Sequence, residues 1–123
     1  MRNMKKHILV VDDDSMNLAR TQIILEEEYE VVLAESGVRA LSILKSQKID
    51  LVLLDIDMPL MNGIETFKRM KEFAADIPVI FLTASGEVED VVGALLLGAV
   101  DYLKKPYLPQ ELLKRVAQEF EKK

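Results

Sequence analysis

Four short apolar runs, rich in Val, Ile and Leu, and a fifth segment that mixes apolar and charged residues recur along the chain with charged or turn-forming residues between them. A run of this length without an amphipathic period is typical of a strand that is buried on both faces of a parallel sheet. Leu51–Leu54 is the clearest example, since Asp50 and Asp55 bound it, and Pro59 stops the strand from continuing. The five predicted strands are His7–Val11, Val31–Ala34, Leu51–Leu54, Ile77–Leu82 and Val100–Lys104.

The segments between the strands carry apolar residues at the three- and four-residue intervals of amphipathic helices. After Ser36, a typical N-cap residue, four such positions share one helix face: Gly37, Ala40, Leu41 and Leu44. Five helices are predicted: one after Asp14 or Ser15, one after Ser36, one after Gly63, one over Glu87–Leu97 and one that begins at Pro109. Gly98 is expected to end the fourth helix. Leu108 is not a capping residue, so the last helix is expected to fray or to borrow a cap.

Strands and helices alternate five times, which indicates an α/β fold with a parallel sheet, helices on both faces and right-handed crossovers. No repeat, linker or second domain is evident in the sequence. We therefore expect residues 1–123 to form a single domain, with an ordered core over about residues 5–122 and no output domain in this chain.

The composition narrows the class of protein. With 123 residues and an apolar fraction of 50%, the chain suits one globular domain with a substantial core. The net charge of −5 disfavours nucleic acid as a partner, and the absence of cysteine excludes disulfides and thiolate metal sites. No signal peptide is evident, and the longest apolar stretch, Val91–Val100, has about half the length that a bilayer requires. We expect a cytoplasmic domain that does not enter the membrane.

Polar side chains stand where four of the predicted strands end: Asp12 and Asp13, Asp55, Thr83 and Lys105. In a parallel sheet these ends meet at one edge, where open α/β sheets bind ligands. Converging carboxylates repel one another unless a cation neutralises them, and oxygen ligands of this kind favour Mg²⁺. A hydroxyl and a lysine beside them can hold phosphoryl oxygens while a carboxylate attacks phosphorus. The pattern therefore indicates phosphoryl transfer onto Asp55.

Four segments carry a resemblance to a known family: ILVVDDD (Ile8–Asp14), DLVLLDIDMPLMNG (Asp50–Gly63), PVIFLTA (Pro78–Ala84) and GAVDYLKKPY (Gly98–Tyr107). Together they cover the strand ends in the order and spacing of the receiver domains of two-component response regulators, and the chain resembles the chemotaxis-regulator type. The resemblance implies a flavodoxin-like (βα)5 fold with strand order 2-1-3-4-5. It also implies that a sensor histidine kinase or a histidine phosphotransfer protein donates a phosphoryl group to Asp55.

The resemblance implies a metal site as well. Asp12 and Asp13 would hold Mg²⁺ (or Mn²⁺), Asp13 directly and Asp12 through water. Asp55 would be both phosphoacceptor and ligand, and Asp57 would contribute its backbone carbonyl. The side chains of Asp57 and Ser85 occupy family positions that tune dephosphorylation, and an acid at position 57 would either orient a water molecule or repel phosphate.

The remaining site residues are also implied by the resemblance. Thr83 would be the switch hydroxyl, Tyr102 the aromatic that follows it inward, and Lys105 the phosphate-binding lysine. Lys104 is one residue short of the family position, and alternation along the strand should point it away from the site. The family further implies a cis bond between Lys105 and Pro106.

A phosphorylated Asp55 would switch the surface formed by the fourth predicted helix, the fifth strand and the fifth helix, which would then bind an effector or form a homodimer. The apolar run Val91–Leu97 belongs to that fourth helix. We expect this helix to be buried in the core, and the alternative is that part of it is exposed as a dimer or partner patch.

Three other functions are compatible with parts of the pattern. The first is a phosphotransferase of the haloacid dehalogenase type, which Asp55-Ile56-Asp57 resembles, although the acidic pair then precedes the nucleophile instead of following the lysine. The second is a receiver that binds proteins without being phosphorylated. The third is a flavodoxin, although this chain lacks the phosphate loop that a flavodoxin carries after its first strand. We expect a signalling switch rather than an enzyme, one that assists its own phosphorylation and dephosphorylation.

Overall fold

The structure is a computed structural model that describes residues 4–84, 93 and 95–122. Five strands form one parallel sheet in the order β2-β1-β3-β4-β5, as the resemblance implied. The strands are β1 (His7–Val11), β2 (Glu30–Ala34), β3 (Leu51–Asp55), β4 (Val79–Thr83) and β5 (Asp101–Lys104). The helices of the described residues are α1 (Ser15–Leu25), α2 (Gly37–Ser46), α3 (Gly63–Met70) and a C-terminal helix (Pro109–Glu121).

The register of the sheet brings the ends of the strands together. Val11 at the end of β1 pairs with Leu54 of β3, so Asp12, which follows β1, and Asp55, the last residue of β3, lie at the same level. Thr83 at the end of β4 pairs with Lys104 of β5, which places Lys105 one residue beyond that level. The parallel arrangement therefore gathers the polar residues at the carboxyl edge of the sheet, as predicted.

Both faces of the sheet are covered, because successive strand residues point to opposite sides. On one face, β-strand residues such as Val11 and Leu54 pack with residues of α2 and α3, including Ile43 and Phe67. On the other face, the intervening strand residues pack with α1 and the C-terminal helix: Ile8, Val10, Leu53 and Leu82 with Leu18, Leu25, Leu112 and Val116. The predicted doubly wound α/β fold is confirmed. Among the described residues, no helix has the length and apolar character needed to cross a bilayer.

Three of the helices begin with a side-chain cap. The side chains of Asp14, Ser36 and Asn62 accept hydrogen bonds from backbone N–H groups in the first turns of α1, α2 and α3. Asp14, rather than Ser15, is the cap of α1. The C-terminal helix follows Leu108 without a side-chain cap and has a proline in its first turn, which fits the prediction for Leu108.

Several predicted boundaries are wrong by one or two residues. β4 begins at Val79 instead of Ile77, because Pro78 has no N–H to donate and only its carbonyl joins the ladder, accepting from Val52 N at 3.0 Å. β5 begins at Asp101 rather than Val100. In α2 the buried stripe includes Ile43, whereas the predicted Leu41 is only partly buried.

The fourth predicted helix, Glu87–Leu97, lies largely outside the described residues. Gly93, Leu95 and Leu96 have helical backbone, and Gly98 ends the segment with φ +111°, as its predicted role requires. Leu95, Leu96 and Leu97 are exposed by 42%, 81% and 40%. The prediction that this segment is buried in the core is therefore wrong for these three residues. A helix on a sheet buries one side only, so a run that is apolar all round leaves apolar side chains in solvent.

Candidate functional site

An acidic cluster lies at the carboxyl edge of the sheet. One carboxylate oxygen from each of Asp12, Asp13 and Asp55 can be chosen so that all three atoms lie within 4.8 Å of one another. Asp12 and Asp55 are buried, whereas Asp13 is exposed. Three carboxylates at this spacing form a set of hard oxygen donors of the kind that binds a divalent cation. The cluster could therefore hold a metal ion, which would enter from the side of Asp13.

Lys105 is the cation beside this cluster. Its Nζ lies 2.7 Å from Asp12 Oδ2 and 3.3 Å from Asp55 Oδ2. Its backbone N–H donates to Thr83 O at 2.8 Å, which ties the end of β5 to the end of β4. The peptide bond between Lys105 and Pro106 is cis, as the resemblance implied, and Lys104 points into solvent, as alternation predicted. One partly buried ammonium group thus connects two buried carboxylates.

The electrostatics of Asp55 differ from those of an ordinary aspartate. The pKa of Asp55 is raised to about 6 overall: burial raises it most and the charge of Asp12 also raises it, whereas Lys105 and the Asp57 N–H lower it. Burial by itself would lower the pKa of Lys105, but its hydrogen bond with Asp12 and the charges of Asp12 and Asp55 raise that pKa overall. Further positive charge near Asp55 would therefore stabilise its ionised form.

The raised pKa of Asp55 gives an expected pH dependence of stability in metal-free protein. The folded state keeps a proton on Asp55 up to about pH 6, whereas the unfolded chain loses it near 3.8, the pKa of an unperturbed aspartate. Since the folded state binds more protons in this interval, the contribution of Asp55 to the free energy of unfolding falls as pH rises from about 4 to about 6. Asp55→Asn removes this penalty, and Lys105 keeps Asp12 as a partner in the variant. We expect the metal-free variant to be more stable than wild type by about 1–3 kcal/mol at pH 7.

Urea unfolding in the presence of a chelator, followed at several pH values, measures this difference. The two proteins should have similar stability below about pH 4 and should diverge as pH rises to 7. A difference that stays constant over this range would show that the ionisation of Asp55 does not cause it.

The loop after Asp55 folds back beneath the site. The Asp57 N–H donates to Asp55 Oδ1 at 3.2 Å, while the Asp57 side chain is exposed. Gly63 N donates to Ile56 O at 2.9 Å, which brings the start of α3 against the end of β3. A Cβ atom at Gly63 would overlap the backbone carbonyl oxygen of Asp55. The absence of a side chain at Gly63 therefore permits the approach that places Asp55.

The two predicted switch residues differ in solvent exposure. Thr83 is buried at the end of β4, one residue beyond Leu82, which pairs with Asp55. Tyr102 pairs with Phe81 in the sheet and is 37% exposed, so its ring is not enclosed by the described residues. The inward movement of Tyr102 upon phosphorylation, which the resemblance implied, stays a prediction. Ser85 lies outside the described residues.

The sequence prediction missed the hydrogen bonds that hold Asp12. Asn17 Nδ2 donates to Asp12 Oδ2 at 2.5 Å and lies 3.4 Å from the hydroxyl of Tyr107, which is itself 2.6 Å from Thr21 Oγ1. Tyr107 is almost completely buried. A buried tyrosine hydroxyl requires a polar partner, and that requirement is the one signal in the sequence that could have suggested a link to α1.

The chain is an α/β domain that carries the acidic cluster, a threonine hydroxyl and a lysine at the carboxyl ends of its strands. A model of the response regulator receiver domain matches residues 8–117. The chain belongs to the family of response regulator receiver domains, the signalling domains of two-component systems.

Individual relatives agree with this assignment. The chain is 45% identical over 111 residues to the response regulator SaeR of Staphylococcus aureus (strain USA300), an alignment that covers 89% of this chain and 48% of SaeR. The chain thus spans about half the length of the curated relatives that it matches.

Solved structures of receiver domains are also similar. The CheY-like receiver domain protein of Methanospirillum hungatei JF-1 superposes with a TM-score of 0.89 at 33% identity, over 94% of each chain. The BeF3-activated DrrB receiver domain gives 0.89 at 32% identity, over 97% of this chain and 100% of DrrB.

Proposed function

We propose that this domain accepts a phosphoryl group on Asp55 from a phosphohistidine of a sensor histidine kinase or a histidine phosphotransfer protein, in a reaction that requires Mg²⁺ or Mn²⁺. The observation that carries the proposal is the position of Asp55, a buried carboxylate with Lys105 Nζ at 3.3 Å and with Asp12 and Asp13 oxygens nearby. Membership in the receiver family supports the same chemistry.

Asp55 acts in this proposal as the nucleophile. Its ionised oxygen attacks phosphorus, an O–P bond forms as the P–N bond of the phosphohistidine breaks, and the imidazole leaves with the electron pair of that bond. Lys105, already against Asp55, turns to a phosphoryl oxygen. Since the phosphoryl group brings negative charge into a buried site, a fixed ammonium group stabilises the transfer more than it would in water.

The metal supports this chemistry through the acidic cluster. Asp12, Asp13, Asp55 and the backbone carbonyl of Asp57 are the groups that would hold Mg²⁺ or Mn²⁺. When bound, the ion supplies positive charge that lowers the repulsion between the carboxylates and the phosphoryl oxygens. The exposed Asp13 faces solvent at the site, while the buried Asp12 also holds Lys105.

Phosphorylation of Asp55 would change the hydrogen-bonding demand at the edge of the sheet. The aspartyl phosphate carries roughly two negative charges and three acceptor oxygens, where the free side chain carries one charge. Thr83, buried at the same edge, would turn its hydroxyl to a phosphoryl oxygen, and Tyr102 would move inward from its exposed position. This coupled movement is the two-state element that a switch requires.

The output surface in this proposal includes β5 and the C-terminal helix. Arg115 of that helix donates to Asp101 of β5 at 2.6 and 2.8 Å, which links the two elements. Leu95, Leu96 and Val100 are exposed next to β5 in the chain. This combination of apolar and charged groups suits a protein partner, either an effector or a second copy of the chain.

The domain would also release its phosphoryl group by hydrolysis, so that it functions as a signalling switch and not as an enzyme that acts on other molecules. The side chain of Asp57, two residues after Asp55, is exposed. In this proposal it either orients a water molecule or repels the phosphate. Its effect would be on the lifetime of the phosphorylated state.

The proposal is tested by the intact mass of the protein after incubation with acetyl phosphate, with Mg²⁺ or with a chelator. We expect the mass of one phosphoryl group to be added with Mg²⁺ and not with the chelator. Phosphate release is measured in the same samples, because rapid hydrolysis would hide the adduct. If neither an adduct nor release is observed, the domain is a receiver that binds proteins without phosphorylation.

A further inference from the structure

Asp12 is held by three donors from its own chain. Its Oδ1 accepts from the Asp14 N–H at 3.0 Å, and its Oδ2 accepts from Lys105 Nζ at 2.7 Å and from Asn17 Nδ2 at 2.5 Å. A carboxylate offers about four acceptor positions. Among the described residues these bonds therefore leave one position, on Oδ1, for a metal ion or its water. The donors fix both the plane of the carboxylate and the direction of that remaining position.

Asn17 is the only one of the three donors that comes from an uncharged side chain. The orientation of its amide is defined, because an ionised carboxylate accepts hydrogen bonds and cannot donate them. One N–H of Nδ2 points to Asp12, and the hydroxyl of Tyr107 lies 3.4 Å from the same nitrogen. Both hydrogens of the amide thus have an acceptor.

Tyr107 contacts Asn17 and two further residues of α1. Its side chain is 1% exposed, and its hydroxyl pairs with Thr21 Oγ1 at 2.6 Å. Arg20 donates to Tyr107 O at 2.7 Å, and its guanidinium carbon lies 5.3 Å from the centre of the ring. The segment that follows Lys105 is therefore fastened to the same helix that carries Asn17.

We propose that Asn17 is a positioning residue for the divalent cation: it orients the Asp12 carboxylate, and the hydroxyl of Tyr107 holds the Asn17 amide in place. Metal affinity then depends on the packing of the segment after β5 against α1. This inference rests on the proposed function, since it concerns the metal of the same site. It adds two residues, Asn17 and Tyr107, that act through Asp12 and touch neither the phosphoryl group nor the metal.

The chemistry of position 17 follows from this role. Leucine has nearly the shape of asparagine but donates no hydrogen bond, so Asn17→Leu leaves Asp12 Oδ2 with Lys105 alone. The carboxylate can then rotate toward the ammonium group, and its remaining acceptor position turns away from Asp13 and Asp55. Loss of a group that orients a metal ligand commonly weakens metal binding by about 10–100-fold.

The experiment is a Mg²⁺ titration of unphosphorylated protein, followed by the backbone amide signals in ¹H–¹⁵N spectra at constant pH and ionic strength. The variants are Asn17→Leu, Tyr107→Phe and the combination of both. Gln22→Leu, the same amide-to-leucine change farther along α1, is the matched control. We expect the Mg²⁺ dissociation constant to rise about tenfold or more in Asn17→Leu. It should rise about threefold in Tyr107→Phe and stay unchanged in Gln22→Leu.

The double variant separates positioning from a general loss of structure. If Tyr107 acts through Asn17, Tyr107→Phe has no further effect on Mg²⁺ affinity once Asn17 is leucine. Thermal unfolding of the same variants shows whether each is folded, and a loss of stability alone would not produce this non-additivity.

The possible outcomes separate this inference from the function on which it rests. If wild type binds Mg²⁺ and the dissociation constant of Asn17→Leu lies within twofold of the wild-type value, Asn17 does not position Asp12 and the inference is wrong. If the effects of Asn17→Leu and Tyr107→Phe multiply, the part assigned to Tyr107 is wrong. If wild type itself does not bind Mg²⁺, the metal-dependent function fails, and the inference fails with it.

Discussion

Asp55→Asn is expected to abolish phosphorylation of the domain by acetyl phosphate or by a phosphohistidine donor. The amide cannot act as the anionic nucleophile, because its electron pairs are less basic and it carries no charge. The fold should survive the change, since the amide has the same shape and Lys105 retains its 2.7 Å contact with Asp12. The expected result is a folded protein whose intact mass does not change after incubation with donor and Mg²⁺.

Asp57→Asn is the matched control for this prediction. It removes a carboxylate of the same type two residues away, but that side chain is exposed, and the Asp57 N–H that contacts Asp55 Oδ1 is retained. We expect this variant to be phosphorylated, with a changed lifetime of the adduct. An adduct of undiminished yield on Asp55→Asn would show that another residue is the acceptor.

Gly63→Ala is expected to be among the most destabilising single substitutions in the domain. An added Cβ would overlap Asp55 O and would lie 2.8 Å from Ile56 Cα, and both are backbone atoms that cannot move aside cheaply. Either α3 must shift from the end of β3 or Asp55 must move. We expect the free energy of unfolding to fall by about 3 kcal/mol, the upper end of the range for overpacking, despite the better helix propensity of alanine.

Denaturant unfolding followed by circular dichroism measures this effect, and Gly93→Ala is its control. No described atom lies within 4 Å of a Cβ at Gly93, which has helical backbone. Alanine there should raise stability by up to about 1 kcal/mol. If both substitutions stabilise the domain by similar amounts, the close approach of α3 to Asp55 does not have the structural role assigned to it.

The sheet and its carboxyl edge were the most predictable parts of the molecule. Apolar runs such as Leu51–Leu54 have the length of a strand and no amphipathic period. These two features predict buried strands whose ends lie within one or two residues of the observed ends. The residues Asp12, Asp55 and Lys105 could be placed together from the fold class alone, because parallel strands end at the same edge. The strand order, by contrast, came from the family resemblance.

The contacts between distant segments were not predictable in the same way. Tyr107 and Thr21 are 86 residues apart, and neither residue type by itself indicates that their hydroxyls pair. The contact of Asn17 with Asp12 spans five residues only, but it depends on how α1 begins after its Asp14 cap and on the side-chain rotamer. The exposure of Leu96 was not predictable either, because an apolar run does not show which of its sides faces the sheet.

The central claim is that Asp55 is the residue that carries the phosphoryl group. The most direct measurement is to phosphorylate the protein with acetyl phosphate and Mg²⁺, reduce the acyl phosphate with borohydride and locate the modified residue by peptide mass spectrometry. Hydride converts a phosphorylated aspartate into homoserine and releases phosphate, so it marks the acceptor permanently. We expect homoserine at position 55 and unmodified aspartate at positions 12, 13 and 57. Homoserine at any of those three positions instead of position 55 would contradict the account.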